Sequence, residues 1–295
     1  MISNLSLLLE EATRKNTKVL AIAAAEDKYV MNAILKAKEL GLIKPIYIGN
    51  QDKIQSIATS LDISITSNEI IHCPDSTEAC IKAVKMVSEG KADLLMKGLV
   101  STGTLLKQVV SKEYGLLSGK LLSHLAIFES PNYHKLLGLT DAAMNIAPSL
   151  DDKAAILENA IRAFHAIGIV EPKAAVLAAV EKVNPKMPAT TDAIKLKELR
   201  IKGCTIDGPF ALDNAISKEA AAHKGITGIV AGDADILLAP DLNSGNVLYK
   251  SLSFLGNARC AAIIVGSKVP IVLTSRADAE ETKFLSIALA VLTSN

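Results

Sequence analysis

The 295 residues carry 32 Lys and Arg against 31 Asp and Glu, a formal net charge of +1, so no global charge bias draws the chain to nucleic acid or to an acidic membrane surface. Only 3% of residues are aromatic and Trp is absent although 49% are apolar, which leaves a core of Ala, Ile, Leu and Val suited to helices packed on buried parallel strands. The amino terminus lacks the basic start of a signal peptide, and no apolar run is long enough to span a bilayer. Cys73, Cys80, Cys204 and Cys260 form neither a CxxC pair nor a disulfide framework, so reduced thiols in a cytoplasmic protein are expected.

An amphipathic helix over about Leu5 to Lys15 leads into Val19–Ala23, an apolar run with the length of a buried strand. Asp27 is placed to cap a helix that Gly41 ends, and Pro45–Gly49 is the next strand. A helix over Asp52–Ser60, a strand near Ile70 and Ile71, a helix over Ser76–Ser88 and a strand over Asp93–Met96 continue a wound, mainly parallel sheet. Lys97-Gly98-Leu99-Val100-Ser101-Thr102-Gly103-Thr104 then lies between strand and helix, where open α/β sheets place ligands, and forms one candidate anion loop. It is neither a Walker loop nor GxGxxG, so taken alone it reads equally as a solvated strand end.

Strands are expected at His124–Phe128 and Leu136–Leu139, and Ser149 reads as the N-cap of a helix over Asp151–Gly168. The pattern then gives a strand over Ala174–Val180, a helix capped by Thr190-Thr191-Asp192, a strand ending at a turn around Asp207-Gly208-Pro209, and a helix over Ala211–Ala222. Asp207 before Gly-Pro is by itself a turn residue. After the strand Ile236–Ala239, the run Pro240 to Lys250 reads as a tight turn opening a helix from Asn246, with amides that suit an anion or an ordinary cap. Strands at Ala261–Val265 and Pro270–Leu273 follow, and Asp278 with Glu281 makes a D-x-x-E capping pattern for a last helix to Leu292. The expected organisation is two α/β domains, residues 1–140 plus 266–295 and an inserted 141–265.

Three segments resemble the phosphate acetyl/butyryltransferase family: Pro240–Asn246 with Tyr249-Lys250, Ile206-Asp207-Gly208-Pro209 with Asp213, and Thr274-Ser275-Arg276. Leu95–Gly103 and Leu121–His124 look most like its butyryl-transferring branch. The resemblance implies exchange of coenzyme A and phosphate on a short acyl group, with both as substrates, no tightly bound cofactor, no metal and no covalent enzyme intermediate. It further implies a second domain inserted in the first, a cleft between the two, and a homodimer or higher homo-oligomer.

Carried over by position, Ser275 would hydrogen-bond the thiolate or oxyanion and Arg276 would hold phosphate or polarise the carbonyl. Lys97, Ser101, Thr102, Gly103, Asp207, Asn243, Ser244, Gly245 and Asn246 would line the substrate site. Lys107 and Lys120 stand near positions where the acetyl branch has cleft arginines, and Thr282 stands where that branch has an Asp base. Glu281 is taken as the base, with Glu280 and Asp278 as alternatives. The five histidines show no HxxxH spacing. Rival readings are a phosphate acetyltransferase, a CoA-binding relative without catalysis, and a metal-dependent dehydrogenase using Asp233 and Asp235.

Overall fold

The structure, a computed structural model, describes residues 2–275 and 278–294. The elements begin with α1 (Leu5–Thr13), β1 (Lys18–Ala23), α2 (Lys28–Glu39), β2 (Ile43–Gly49), α3 (Gln51–Ser60), β3 (Ile70–His72), α4 (Ser76–Ser88), β4 (Leu94–Lys97) and α5 (Thr102–Val109). They continue with β5 (Ser123–Glu129), β6 (Leu137–Thr140), α6 (Leu150–Ala166), β7 (Lys173–Leu177), α7 (Pro188–Glu198), β8 (Thr205–Phe210), α8 (Leu212–Ile216), α9 (Lys218–His223), β9 (Ile236–Leu238) and α10 (Leu242–Lys250). Strands β10 (Arg259–Val265) and β11 (Ile271–Val272) and helix α11 (Glu280–Thr293) close the chain. The α/β class expected from the sequence is the one observed.

The chain divides into two compact units, Ser6–Gly119 with Ala261–Asn295, and Met1–Leu5 with Lys120–Cys260. In the first, the strand order is β3-β2-β1-β4-β11-β10, with only β10 and β11 antiparallel among the neighbouring pairs. Leu20, Ile22, Leu94 and Leu95 on the central strands are fully buried, as a parallel sheet covered by helices requires. Asp27 and Asn50 cap α2 and α3, accepting hydrogen bonds from Val30 N and Lys53 N. In the second unit the order is β5-β6-β9-β7-β8, parallel except for β5 with β6. Ser149 starts α6 through a reciprocal capping box with Asp152.

Several local readings are corrected. Helix α10 starts at Leu242 rather than Asn246, because Asp241 is its N-cap and accepts from Ser244 N at 2.9 Å. The strand expected to end at the Asp207-Gly208-Pro209 turn runs through it to Phe210. Since β8 is the last strand in its order, the N–H that Pro209 lacks breaks no ladder on its outer side. Pro188 rather than Thr190 opens α7, and the Thr190 hydroxyl bonds the Asn184 and Met187 carbonyls. Helices α8 and α9 are separate, with Ser217 capping the second through Ala220 N. Finally, α11 has no side-chain cap, and Asp278 faces back to Ser275 N.

The amino ends of β7 and β9 are tied by a charge cluster. Asp233 is bonded by Lys173 and His134, and Lys135 reaches Asp235 at 2.7 Å. Burial alone would raise the Asp233 carboxyl, but the hydrogen bonds from Lys173 and His134 and the charge of Lys135 outweigh it and hold it well below the usual carboxylate range. Asp233 and Asp235, spaced like metal ligands in the sequence, are thus bound to lysines.

A folded carboxyl held below its unfolded value of about 4 stabilises the protein above that pH and loses this contribution as pH falls towards the folded value. Stability measured by urea unfolding is therefore expected to decline below about pH 4, and Asp233→Asn to flatten that decline. An unchanged acid slope in the variant would contradict the assignment.

Candidate active site

The carboxyl ends of three neighbouring parallel strands in the first unit carry the most concentrated set of candidate residues. Ala23 of β1 is level with Lys97 of β4, and Met96 is level with Val272 of β11. The chain winds from β1 out through β2 to β3, then returns to place β4 on the other side of β1. Such a reversal of winding is where open α/β sheets leave a crevice for ligands.

Close packing fixes this edge. Gly98 N and Leu99 N donate to the Ala23 and Ala24 carbonyls at 2.9 and 2.6 Å. A Cβ built on Gly98 would lie 2.0 Å from the Ala24 oxygen, so only glycine lets the two loops approach. Lys97 is 8% exposed, and its Nζ donates to the carbonyls of Gly98 and Val100 at 3.1 and 3.2 Å. Its positive charge is thereby held at the strand end.

Ser101 caps α5 by accepting from Thr104 N at 3.1 Å, and Ser101, Thr102 and Gly103 are exposed. Acidic residues stand in the first turns of α3 and α4, but none stands in the first turn of α5. Of these three amino termini, that of α5 therefore keeps its dipole least neutralised. Lys107 is exposed in its last turn. Beside this edge lies an open cavity of about 620 Å³, lined by Ala24, Glu26, Asp52, Lys53, Asp75 and Leu99 among others. Its carboxylates make it a poor seat for a phosphate.

Beyond β11, Leu273 and Thr274 are buried and Ser275 emerges exposed. Ser275 N donates to Asp278 Oδ2 at 2.6 Å, and Asp278 N returns a bond to the Ser275 carbonyl at 3.2 Å. Arg276 lies outside the described residues. Glu281 is exposed in the first turn of α11, whereas Glu280 is held by Lys36 at 2.6 Å and Asn32 at 3.1 Å. The Lys36 hydrogen bond, against some burial, keeps the Glu280 carboxyl below its ordinary value. Sequence reading missed Lys283, whose ammonium contacts this turn. Its signal was a lysine on the apolar stripe of α11, beside the buried Ser286 and Ile287.

The remaining candidates belong to the other unit. Asn243 and Ser244 are exposed in the first turn of α10, where the Asp241 carboxylate already occupies the helix start and also accepts from the Ser244 hydroxyl at 3.1 Å. Gly245 is buried, and a Cβ there would lie 2.2 Å from the Asp141 carbonyl. Asn246 donates to the Ala142 carbonyl at 3.0 Å. Asp207 sits in β8 with its carboxylate on Lys197 at 2.7 Å, and β7 stands between β8 and β9. Lys120 is exposed ahead of β5. The strand pairing thus brings Lys97 and Ser275 to one edge, and does not bring Asp207 next to Asn243–Asn246.

Burial pushes the Cys80 thiol up to about 11 and the Cys204 thiol up to about 12, so neither is poised as a nucleophile near neutral pH. Among the described residues no group of three or more His, Cys, Asp or Glu is arranged to hold a metal ion, and no helix is long and apolar enough to cross a membrane.

Residues 75–291 match the phosphate acetyl/butaryl transferase family. The chain is 47% identical to a phosphate butyryltransferase of Clostridium acetobutylicum over 99% of its own length and 98% of that protein. It is 44% identical to a phosphate acetyltransferase of Thermotoga maritima over 96% of its length and 98% of that protein. A branched-chain phosphotransacylase from Enterococcus faecalis, 37% identical, superposes with a TM-score of 0.83 over 94% of this chain and 99% of the other.

The Gly98 contact makes a paired prediction. Gly98→Ala should destabilise by about 1–3 kcal/mol through forced overpacking. Gly103→Ala, where a Cβ meets nothing within 4 Å, should stay within about 0.5 kcal/mol of the parent in urea unfolding.

Proposed function

The chain belongs to the phosphate acetyl/butaryl transferase family, and on that footing we propose that it exchanges coenzyme A and phosphate on a short acyl group, butyryl by preference. The single observation that carries this reading is the 47% identity, across nearly all of both chains, to a protein named phosphate butyryltransferase. Similar identity to a phosphate acetyltransferase keeps acetyl as the competing acyl group. One methylene in an apolar pocket is worth only about 1–3 kcal/mol, so acyl preference is a matter of degree.

In the proposed reaction a phosphate oxygen attacks the thioester carbonyl carbon. The carbonyl becomes an oxyanion, the C–S bond then breaks, and the thiolate of coenzyme A leaves and is protonated. In reverse, a base takes the thiol proton, the thiolate attacks the carbonyl carbon of the acyl phosphate, and the bond from that carbon to the phosphate oxygen breaks to release phosphate. Neither direction needs a covalent enzyme intermediate or a metal.

The demands are a donor for the oxyanion or thiolate, cations for phosphate, and a proton acceptor. Ser275 is proposed as the donor and Arg276 as the phosphate-holding fork. Lys97 and the amino terminus of α5, with Ser101, Thr102 and Gly103, would add positive potential at the strand ends. Lys107 and Lys120 would supply longer-range charge. Glu281, exposed in the first turn of α11, is the proposed base. Asp207, Asn243, Ser244, Gly245 and Asn246 would frame the substrates. A cytoplasmic homodimer or higher homo-oligomer completes the proposal.

Phosphate-dependent release of coenzyme A from butyryl-CoA, followed with a thiol reagent, tests the reaction. Turnover with butyryl-CoA should exceed that with acetyl-CoA at equal concentration; an acetyl preference would overturn the acyl assignment, and binding of coenzyme A without turnover would overturn the enzymatic one. Ser275→Ala should lower kcat by about 10²–10³-fold, the usual loss for an oxyanion donor. Unchanged turnover in that variant would remove Ser275 from the chemistry.

A further inference from the structure

The second unit gathers its own set of chain segments at one edge of its sheet. β6 and β9 are parallel, with Thr140 level with Leu238, and β5 runs antiparallel to β6. The lead-in to β5 and the exits of β6 and β9 therefore share that edge. Lys120 stands in the lead-in, and residues 243–246 follow the exit of β9. Between them lie residues 141–146, which none of the sequence motifs includes.

Asp141 is 3% exposed, whereas Leu177, Phe210 and Leu238, which end the three other parallel strands of this unit, are buried and apolar. A buried carboxylate is costly unless its oxygens are hydrogen-bonded. Asp141 Oδ1 accepts from Ala143 N and Met144 N at 2.8 and 2.9 Å, and Oδ2 accepts from Asn145 Nδ2 at 2.6 Å. These bonds curl the chain as it leaves β6, and the same Asn145 Nδ2 donates to the Leu122 carbonyl at 3.0 Å. From α6, the buried Asn159 donates to the Leu121 carbonyl at 3.1 Å and to the Ser123 hydroxyl at 3.0 Å. Two carboxamides thus hold the two consecutive carbonyls between Lys120 and the first residue of β5. On its other side the segment is tied to α10, because Leu242 N donates to the Ile146 carbonyl at 3.1 Å.

Stability alone does not account for this network, since apolar groups of the same shape can replace a pair of buried polar partners at little cost. What the network adds is a fixed path for the backbone that carries Lys120. The Lys120 side chain is exposed and stands beside the start of α6. There the hydrogen bonds from the Ser149 hydroxyl and amide, and then the charge of Lys120, keep the Asp152 carboxyl below its ordinary value.

We propose that Asn145, oriented by the buried Asp141, is a positioning residue for the anionic substrates, holding the Leu122 carbonyl so that Lys120 is presented at the carboxyl edge of this sheet. The role rests on the reading of Lys120 given above. Asn145 acts through Lys120 rather than on the substrate.

Steady-state kinetics on the full chain with butyryl-CoA and phosphate test this, with kcat and both KM values separated. Lys120→Met should raise one of the two KM values by about tenfold or more, the usual loss of a hydrogen bond to a charged group. Asn145→Ala should raise that same KM by about threefold to tenfold and leave kcat within about twofold. In the Lys120→Met background it should change that KM by less than about twofold, because the group it positions is gone. Thr190→Val, which removes buried hydroxyl bonds elsewhere in this unit, should lower the urea midpoint and leave both KM values within about twofold. A KM rise in that variant would mark the Asn145 effect as general loosening and overturn the positioning role. An equal KM effect of Asn145→Ala in both backgrounds, or none in either, would also overturn it while leaving the reading of Lys120 intact. If Lys120→Met itself left both KM values unchanged, the reading of Lys120 would fail and the positioning role with it. Should Asn145→Ala not fold, Asn145→Ser carries the same cycle.

Discussion

Parallel pairing of β1, β4 and β11 is the constraint from which the proposed site follows. Parallel neighbours leave the sheet at the same edge, so the segments after Ala23, Lys97 and Val272 must all turn there. Room for three loops at one edge is scarce, and the Gly98 backbone meets that demand by lying against the Ala24 carbonyl. Lys97 and Ser275 then lie at the same edge of the sheet. The sheet order also puts the reversal of winding between β1 and β4, so the crevice and the polar residues share one location.

Charge at this edge is arranged by which helix starts are already neutralised. Asp27 and Asp75 each set a carboxylate against their own helix amides, and an anion arriving there would meet a like charge. Helix α5 is started instead by the neutral hydroxyl of Ser101 and has no acid in its first turn. Together with the buried Lys97, it supplies positive potential where the proposed reaction needs phosphate held. In the stretch from Pro240 to Lys250 the Asp241 carboxylate caps the helix start, so the proposed role of Asn243 to Asn246 is to frame substrates rather than to bind phosphate through free helix amides. Gly245 and Asn246 there also pack closely on Asp141 and Ala142.

Elements whose signals are local were legible in advance. Asp27 and Ser149 are caps because a short acceptor beside the first free amides has no better partner, and apolar runs such as Ala261–Val265 have no alternative to burial. The readings that failed depended on a partner distant in sequence or on competition between two local bonds. Asp278 fits a capping pattern with Glu281, yet Ser275 N wins its carboxylate. Gly208-Pro209 reads as a turn because nothing local reveals that β8 is an edge strand able to absorb a proline. Lys283 was missed because the carbonyls it bonds, those of Ser275 and Asp278, lie ahead of its helix and nothing local announces them.

Direct attack of phosphate on the thioester is the claim on which the proposed chemistry stands, and it distinguishes alignment of two substrates from catalysis through an acyl-enzyme. The decisive measurement is the incorporation of isotopically labelled coenzyme A into butyryl-CoA with phosphate rigorously excluded. Direct attack predicts no incorporation, because the acyl group leaves sulfur only when phosphate is bound beside it. Incorporation at a rate comparable to phosphate-dependent turnover would require an acyl-enzyme and would contradict the mechanism.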